Sequence, residues 1–389
     1  MNNPTPDLAG VWDAYCASLQ NLGRSVLDEA GTDQDRAEAI RALARLTAMT
    51  LTQQLDFSDP TNPRFFRSND DVWQWGGPNV DNVYLGAAID PSLTYRLTGC
   101  IADQPGAILQ VLGQPTSDDP VGVRVNCPLT ERANEAGQID LVLGPATDTD
   151  DDRIVVPADA RRLILREYVP SADAKRANFI LDRQDASEPA LPLTEAGVVR
   201  SLTASQRWLE HSIPFWRDYT RSRRDEIGNN QLEAPSTGGA MGSDTILYST
   251  GFFSLETDEA LLITIDEPEA RYWALQLYTM DRYEGIDPTD RQSSLNHTEA
   301  VADADGRVRF VITGTDAGTA NWLDTGGHQQ GMIHFRAVWN ESTPEVATEV
   351  VKVAELATHL PAEHPMVSPV ERAEALGRRR RNAQQRFVR

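Results

Sequence analysis

Two long stretches of this chain, 64–185 and 240–340, share a texture that few folds tolerate. Short runs rich in β-branched and aromatic residues alternate apolar with polar side chains, and Gly, Pro, Asn and Asp punctuate them. In the first stretch, Val83 to Ile89, Thr94 to Thr98, Ile108 to Leu112, Val121 to Val125, Ile139 to Leu143 and Leu163 to Tyr168 read as strands. Consecutive strands with no helix between them do not build the parallel sheet of a doubly wound fold, because each parallel return needs a crossover. The pattern predicts a mainly β protein of antiparallel, jelly-roll-like sandwiches with flanking helices.

The two stretches also resemble each other. Ile89-Asp90-Pro91-Ser92-Leu93-Thr94-Tyr95 is echoed by Asp266-Glu267-Pro268-Glu269-Ala270-Arg271-Tyr272, with the same spacing from Pro to Tyr. Residues 135–143, opening Glu135-Ala136-Gly137, are echoed by 304–312, opening Ala304-Asp305-Gly306. Leu163-Ile164-Leu165-Arg166 is echoed by Ile333-His334-Phe335-Arg336. Three echoes in one order predict two related β-sandwich units. Where the second unit has Asn321 to His328, this comparison places an acidic loop in the first, Asp148 to Arg153, which reads as a solvated turn. The Trp, His and Gly-Gly set is then what the second unit has and the first lacks.

Helices surround the two units. Leu8, Val11, Trp12, Tyr15, Leu19, Leu22 and Val26 form one helical stripe, and Ile40, Leu43, Ala44, Leu51 and Leu55 form another. Gly31 separates them, and Thr32 with Asp35 has the form of a capping box, so 1–57 is expected to be a helical hairpin serving as a lid, a dimer arm or a packing layer. A connecting helix is expected over 200–228, kinked at Pro214. A mostly helical segment with a basic tail is expected over 344–389.

Charge excludes some partners. The 389-residue chain carries a formal charge of −22, which speaks against general nucleic-acid binding, since phosphate recognition needs clustered cations. The exception is 371–389, where seven arginines and two acids give +5 and leave −27 on the rest. Arg378-Arg379-Arg380-Arg381 suits the end of a helix, where cations complement the dipole and pair with an acidic body. No apolar run is long enough to span a membrane, and residues 1–7 show neither the basic region nor the apolar run of a secretory signal. A cytoplasmic location is expected, with Cys16, Cys100 and Cys127 as reduced thiols.

The densest set of chemically useful side chains is Asn321-Trp322-Leu323-Asp324-Thr325-Gly326-Gly327-His328. Two readings of it are open. In one, Asp324 orients His328 for acid–base catalysis, Asn321 assists, and the Gly-Gly backbone offers N–H groups to an anion. In the other, Asn321 and Asp324 cap a turn, Trp322 plugs the sandwich and His328 bonds a carbonyl. His334 and Arg336 share one face of their strand, where Arg336 can hold a carboxylate, sulfate or phosphate. Because Arg166 is its counterpart, the structural alternative is an arginine paired to an acid. Asn79, Asp81, Asn82 and Tyr84 form either a polar wall or turn chemistry before a strand, and Trp273 and Tyr278 join Trp322 as aromatic lining. No nucleophile elbow, zinc-ligand spacing, phosphate loop or dinucleotide fingerprint occurs, so no cofactor or metal is expected.

The run from Arg271-Tyr272-Trp273 through Ser293-Ser294-Leu295-Asn296, Asp305-Gly306 and Asn321 to His328 resembles the bacterial family known as domain of unknown function 1214. Gly77-Pro78-Asn79-Val80-Asp81-Asn82-Val83-Tyr84 with Thr94-Tyr95-Arg96 resembles the companion domain of unknown function 1254. The resemblance spans about 64 to 361 and implies jelly-roll-like sandwiches, but no activity. From the residues themselves, two functions stand side by side. One is a cofactor-independent enzyme with acid–base or hydrolytic chemistry on a small, largely apolar molecule. The other is a noncatalytic module that binds small molecules or carbohydrates, or assembles into homo-oligomers.

Overall fold

The computed structural model describes residues 7–101, 105–114, 122–147, 152–171, 175–184, 190, 192–237 and 246–387. Val121, most of the acidic loop at 148–151 and the last two residues therefore lie outside the described residues. The chain opens with α1 (Leu8–Glu29) and α2 (Asp33–Asp56). Thr32 caps α2 as expected, its Oγ1 accepting from Asp35 N at 3.1 Å. The first unit follows as β1 (Phe66–Asn69), β2 (Asn82–Ala88), β3 (Tyr95–Cys100), β4 (Gly106–Leu112), β5 (Val123–Pro128), β6 (Gln138–Gly144), β7 (Ile154–Val155), β8 (Arg162–Tyr168) and β9 (Asn178–Arg183). The long α3 (Glu195–Ile227) runs on through Pro214. The second unit comprises β10 (Gln231–Leu232), β11 (Ser236–Thr237), β12 (Ile246–Ser254), β13 (Glu259–Asp266), β14 (Ala270–Thr279), β15 (Ser294–Asn296), β16 (Arg307–Thr313), β17 (Trp322–Asp324), β18 (Gln330–Asn340) and β19 (Val346–Lys352), followed by α4 (Leu356–His359) and α5 (Pro369–Phe387).

The two β units are sheet pairs with the same connectivity. The first has sheets β1-β2-β8-β4-β5 and β7-β6-β3-β9, and the second has β10-β12-β18-β14-β15 and β17-β16-β13-β19. Strand for strand, β2 to β9 correspond to β12 to β19. Both units even repeat a short parallel pair, β6 with β7 and β16 with β17, within otherwise antiparallel sheets. Two of the sequence echoes fall on equivalent strands. Gly137 and Gly306 both adopt positive φ, 74° and 77°, in the turns before β6 and β16. Arg166 and Arg336 occupy β8 and β18. The first echo does not survive: Tyr95 begins β3 whereas Tyr272 lies in β14, the counterpart of β4. A Pro-to-Tyr spacing is ordinary turn-to-strand chemistry and does not fix which strand follows. By register, the counterpart of Leu323-Asp324 is Ile154-Val155 rather than the acidic loop. The expected helical tail also needs correction, since 346–352 first forms β19 against β13, with Val351 turned into the core.

Each unit has its own apolar core between its sheets, around Tyr95, Leu109 and Leu165 in the first and Leu275, Phe310 and Phe335 in the second. The first sheet of each unit also packs against that of the other, through Ile108 and Tyr168 on one side and Ile246, Tyr272 and Val338 on the other. α1, α2 and α3 form a separate layer around Tyr15, Met49, Leu202 and Leu209. Trp216 of α3 reaches from that layer to Phe252, Tyr278 and Met332 of the second unit.

Three of the six arginines of α5 turn inward, whereas Arg378, Arg380 and Arg381 stay on the surface. Arg372, Arg379 and Arg386 recur every seventh residue, a spacing that keeps one face of a helix in line, and all three are buried. Arg372 donates to Gln292 Oε1 (2.7 Å) and pairs with Asp316 (3.0 Å), Arg379 donates to Ser294 Oγ (2.8 Å), and Arg386 donates to Val80 O and Val169 O (both 2.8 Å). The helix thus clasps both units through charge-assisted hydrogen bonds. Among the described residues no helix is long and apolar enough to cross a membrane.

Candidate active site

The helical layer and the second β unit enclose a cavity of about 710 Å³. Its helical wall combines an apolar patch, from Leu22 and Val26 of α1, Leu43 and Leu46 of α2, and Ile213 and Trp216 of α3, with the charged Glu29, Asp35, Arg217, Arg221 and Arg224. The opposite wall is polar and comes from two loops, 280–284 after β14 and 327–330 at the start of β18. Size and composition suit a small organic molecule oriented by a few polar groups.

His328 reaches this cavity because of the turn before it. Asp324 Oδ1 accepts from Gly326 N at 2.8 Å, and the chain then passes through two left-handed residues, Gly326 (φ 64°) and Gly327 (φ 91°). A Cβ on Gly326 would lie 2.6 Å from Ile286 Cγ2, so both conformation and space demand glycine. Gly326→Ala is expected to cost about 1–3 kcal/mol, read as a lowered denaturation midpoint. A change within error would show that this turn is not constrained.

The partners of His328 come from α2. Its Nε2 is 3.2 Å from Glu38 Oε2 and its Nδ1 is 3.8 Å from Asp35 Oδ1. Gln34 Nε2 donates to Glu38 Oε1 at 3.1 Å and to Gly326 O at 2.9 Å, tying the hairpin to the turn. Arg282 Nη2 donates to Glu38 Oε2 at 2.6 Å. Burial alone would raise the Glu38 carboxyl, but hydrogen bonds from His328 and Gln34 and the charges of His328 and Arg282 outweigh it and bring it down to about 2. Glu38 is therefore a fixed anion.

Glu284 is the opposite case. Its side chain is 5 % exposed, and the nearest cationic atom, Arg282 Nε, is 3.8 Å from its Oε2. Its Oε1 is buried with no hydrogen-bond partner among the described residues. Burial pushes this carboxyl up to about 7, with Arg282, Arg45 and Arg41 only partly offsetting the cost of the charge. The group thus sits in the cavity wall divided between acid and base forms near neutrality. Its loop is strained as well as buried: Asp281 (φ 66°) and Tyr283 (φ 53°) are both left-handed without being glycine. Arg221 of α3 grips Asp281 through two hydrogen bonds of 2.9 Å. Gly77 of the first unit donates its N–H to Tyr283 O at 2.9 Å. A Cβ on Gly77 would lie 2.1 Å from Tyr283 Cζ, so that contact also requires glycine. The surroundings over-determine the loop that presents Glu284.

The expected His328–Asp324 pair does not form. Asp324 Oδ2 accepts from Arg291 Nη1 at 2.8 Å, and its other oxygen holds the Gly326 turn. Asn321 joins two loops by accepting from Val301 N (2.9 Å) and donating to Val301 O (2.7 Å). Trp322 is buried, its Nε1 donating to Thr313 O at 3.0 Å and its ring lying under Arg372. Of that segment, Gly327 and His328 line the cavity, whereas Asn321, Trp322 and Asp324 do not. Trp273 belongs to the second unit's apolar core.

The other expected site residues meet in a buried polar layer between the two β units. Asn79 Oδ1 accepts from Tyr272 OH (2.9 Å) and Gln276 Nε2 (2.8 Å), and Asp81 Oδ2 accepts from Tyr272 OH (2.8 Å) and Asn296 Nδ2 (3.0 Å). Asn82 is buried opposite Tyr168 in the β2–β8 ladder, and Tyr84 OH accepts from Asn79 N at 2.9 Å. His334 Nε2 is 2.9 Å from Tyr283 OH, and burial, with Arg336 and Arg223 nearby, holds its pKa well below the ordinary histidine value. Burial pushes Tyr278 up to about 12 despite the hydrogen bond that it accepts from Arg336 Nη1 at 2.7 Å.

Glu284, Glu38 and Arg282 were not among the expected site residues. One signal was present: Asp281-Arg282-Tyr283-Glu284-Gly285 places three charges directly after an apolar strand. For Glu38 there was none, because a carboxylate on an amphipathic helix is ordinary. Among the described residues, no group of three or more His, Cys, Asp and Glu side chains is placed to hold a metal ion.

No curated protein matches the chain. Its fold is similar to the crystal structure of an uncharacterized protein from Burkholderia cenocepacia, at 27% identity and a TM-score of 0.79, over 89% of this chain and 97% of that one. A protein from Vibrio parahaemolyticus matches over 79% of this chain and 98% of its own, at 11% identity and a TM-score of 0.45, too loose a superposition to carry an argument. The expected likeness of the first unit to domain of unknown function 1254 gains no support. Residues 254–341, from the end of β12 to just past β18, match the family described as protein of unknown function (DUF1214), so the second β unit is DUF1214-like.

Proposed function

We propose that this protein is a cofactor-independent enzyme performing acid–base or hydrolytic chemistry on a small, largely apolar molecule held between the helical layer and the second β unit. Glu284 is the proton acceptor and donor. His328, anchored by Glu38, is the second proton-carrying group on the same cavity. The apolar patch of the helical wall receives the body of the substrate, and the burial of Glu284 keeps its carboxyl near neutrality. One observation carries this reading: a buried carboxyl with an unsatisfied oxygen in the wall of a cavity of about 710 Å³. Left empty-handed, such a group only costs stability, which points to a ligand partner. The reading includes a cytoplasmic setting, in line with three free cysteines. It includes no nucleic-acid partner, in line with a net charge of −22 and a basic run in which Arg379 is spent inside the protein and Arg380 pairs with Asp290.

The test compares small molecules in a cell extract before and after incubation with wild type and with Glu284→Gln. Wild type is expected to consume at least one compound, and Glu284→Gln to slow that conversion about 10²–10⁴-fold while keeping its circular dichroism. Equal rates for the two proteins reject the assignment. The noncatalytic reading draws on the apolar patch, and it predicts that both proteins retain the same compound and alter none.

A further inference from the structure

The internal repeat duplicates a cross-strand pair. Tyr84 of β2 faces Arg166 of β8, and at the equivalent register Tyr248 of β12 faces Arg336 of β18. Each arginine lies over its own tyrosine, Arg166 at 5.9 Å from the Tyr84 centroid and Arg336 at 6.0 Å from that of Tyr248. Because these two sheets pack against each other, the pairs meet: Tyr84 and Tyr248 are both electrostatic neighbours of both guanidinium groups.

Neither cation has a counter-charge there. Arg336 is buried, and its hydrogen bonds go to Gln276 Oε1 (3.1 Å), Tyr278 OH (2.7 Å) and Gly77 O (2.7 Å), all neutral. Arg166 Nε is shielded from solvent and has no hydrogen-bond partner among the described residues. The nearby carboxylates are engaged elsewhere: Asp81 with Arg386, Tyr272 and Asn296, Glu233 with Arg223, and Glu167 with Arg176. The acid partner expected for these arginines is thus missing among the described residues. A buried cation and a half-buried one beside it, neither with a counter-charge, are costly in any protein, and their presence in a chain of net charge −22 is harder still to explain as packing.

We infer that Arg166 and Arg336, with Tyr84 and Tyr248, form a binding site for a small oxyanion, a carboxylate or a phosphate, between the two β units. Planar guanidinium groups suit such oxygens, which accept two hydrogen bonds from one arginine and bridge to a second. Tyr84, Arg166 and Tyr248 are each only half-buried, which leaves the site a way in. It is separate from the cavity bearing Glu284 and does not depend on the function proposed for it.

The test uses inorganic phosphate and benzoate as separate probes, titrated calorimetrically into the full chain at constant ionic strength held with chloride. Wild type is expected to bind at least one probe saturably. Arg166→Gln, at a half-buried position, is expected to weaken that binding at least tenfold, and Glu284→Gln to leave it unchanged. Which probe binds distinguishes phosphate from carboxylate. Arg166→Gln is also expected to melt no lower than wild type in probe-free buffer, because it removes an uncompensated charge, whereas a structural arginine would show a drop. Binding of neither probe, equal binding by Arg166→Gln, or a clear loss of its melting temperature without probe each overturns the site.

Discussion

Glu284→Gln is expected to be more resistant to unfolding than wild type at pH 8, an advantage that disappears at pH 4. The folded protein holds the Glu284 proton until about pH 7, whereas an ordinary glutamate releases it at 4.5. Between those values the native state binds more protons than the unfolded one, so stability falls as pH rises. The contribution of the protonated carboxyl is fully present below 4.5 and lost as the pH passes 7. A shift of this size corresponds to roughly 3 kcal/mol. Glutamine cannot ionise, so it keeps whatever stability it has across the whole range. Urea unfolding of both proteins at pH 4, 6 and 8 measures the difference, and parallel curves would show that Glu284 is not the strained carboxyl described above. Retaining such a cost is what a site under functional demand does, at the expense of stability.

The second large effect concerns the layer between the β units. Asp81→Ala is expected to destabilise the protein by about 3–5 kcal/mol, because it strands Arg386 as a buried charge. It also leaves Tyr272 OH and Asn296 Nδ2 with one acceptor fewer. The control is Asp290→Ala, which breaks the exposed ion pair with Arg380 and should cost at most about 1 kcal/mol. Chemical denaturation of the two variants side by side provides the measurement. A similar small loss in both would mean that the arginine clasp of α5 does not hold the units together.

Asp81 also shows how a residue legible as turn chemistry can carry a second role that only packing supplies. Its cluster with Asn79, Asn82 and Tyr84 is legible as turn chemistry before a strand, and the turn is there: Asn79 Oδ1 accepts from Asp81 N at 3.0 Å and Asn79 O from Asn82 N at 3.1 Å, while the same side chains also enter the polar layer between the units. His328 was legible for its glycines, and those glycines do decide where it points. Its proposed partner was not: Asp324 is the nearest carboxylate in sequence, but its oxygens are consumed by Arg291 and the Gly326 N–H. Proximity along the chain misleads wherever a turn uses its own acidic residue to stay closed. Arg378 to Arg381 read as helix-terminal cations, and Arg379 alone of that run turns inward; it belongs to the seven-residue series Arg372, Arg379 and Arg386, visible in the sequence, which marks an inward face that only apolar residues are usually expected to occupy.

The sequence by itself determined the strand texture, the capping of α2, the two-unit plan and the equivalence of Arg166 with Arg336. These are encoded locally, in alternation, turn glycines and the order of short motifs, and local signals survive without knowledge of the fold. Only the tertiary structure decided what stands next to what. Docking the N-terminal hairpin brings Glu38 to His328, and burial between α2 and a strained loop moves the Glu284 carboxyl to about 7. Packing one repeat on the other leaves two arginines without a counter-charge among the described residues. Desolvation and charge pairing depend on neighbours supplied by distant parts of the chain, so neither the cavity beside Glu284 nor the arginine pair between the units can be spelled in any one segment.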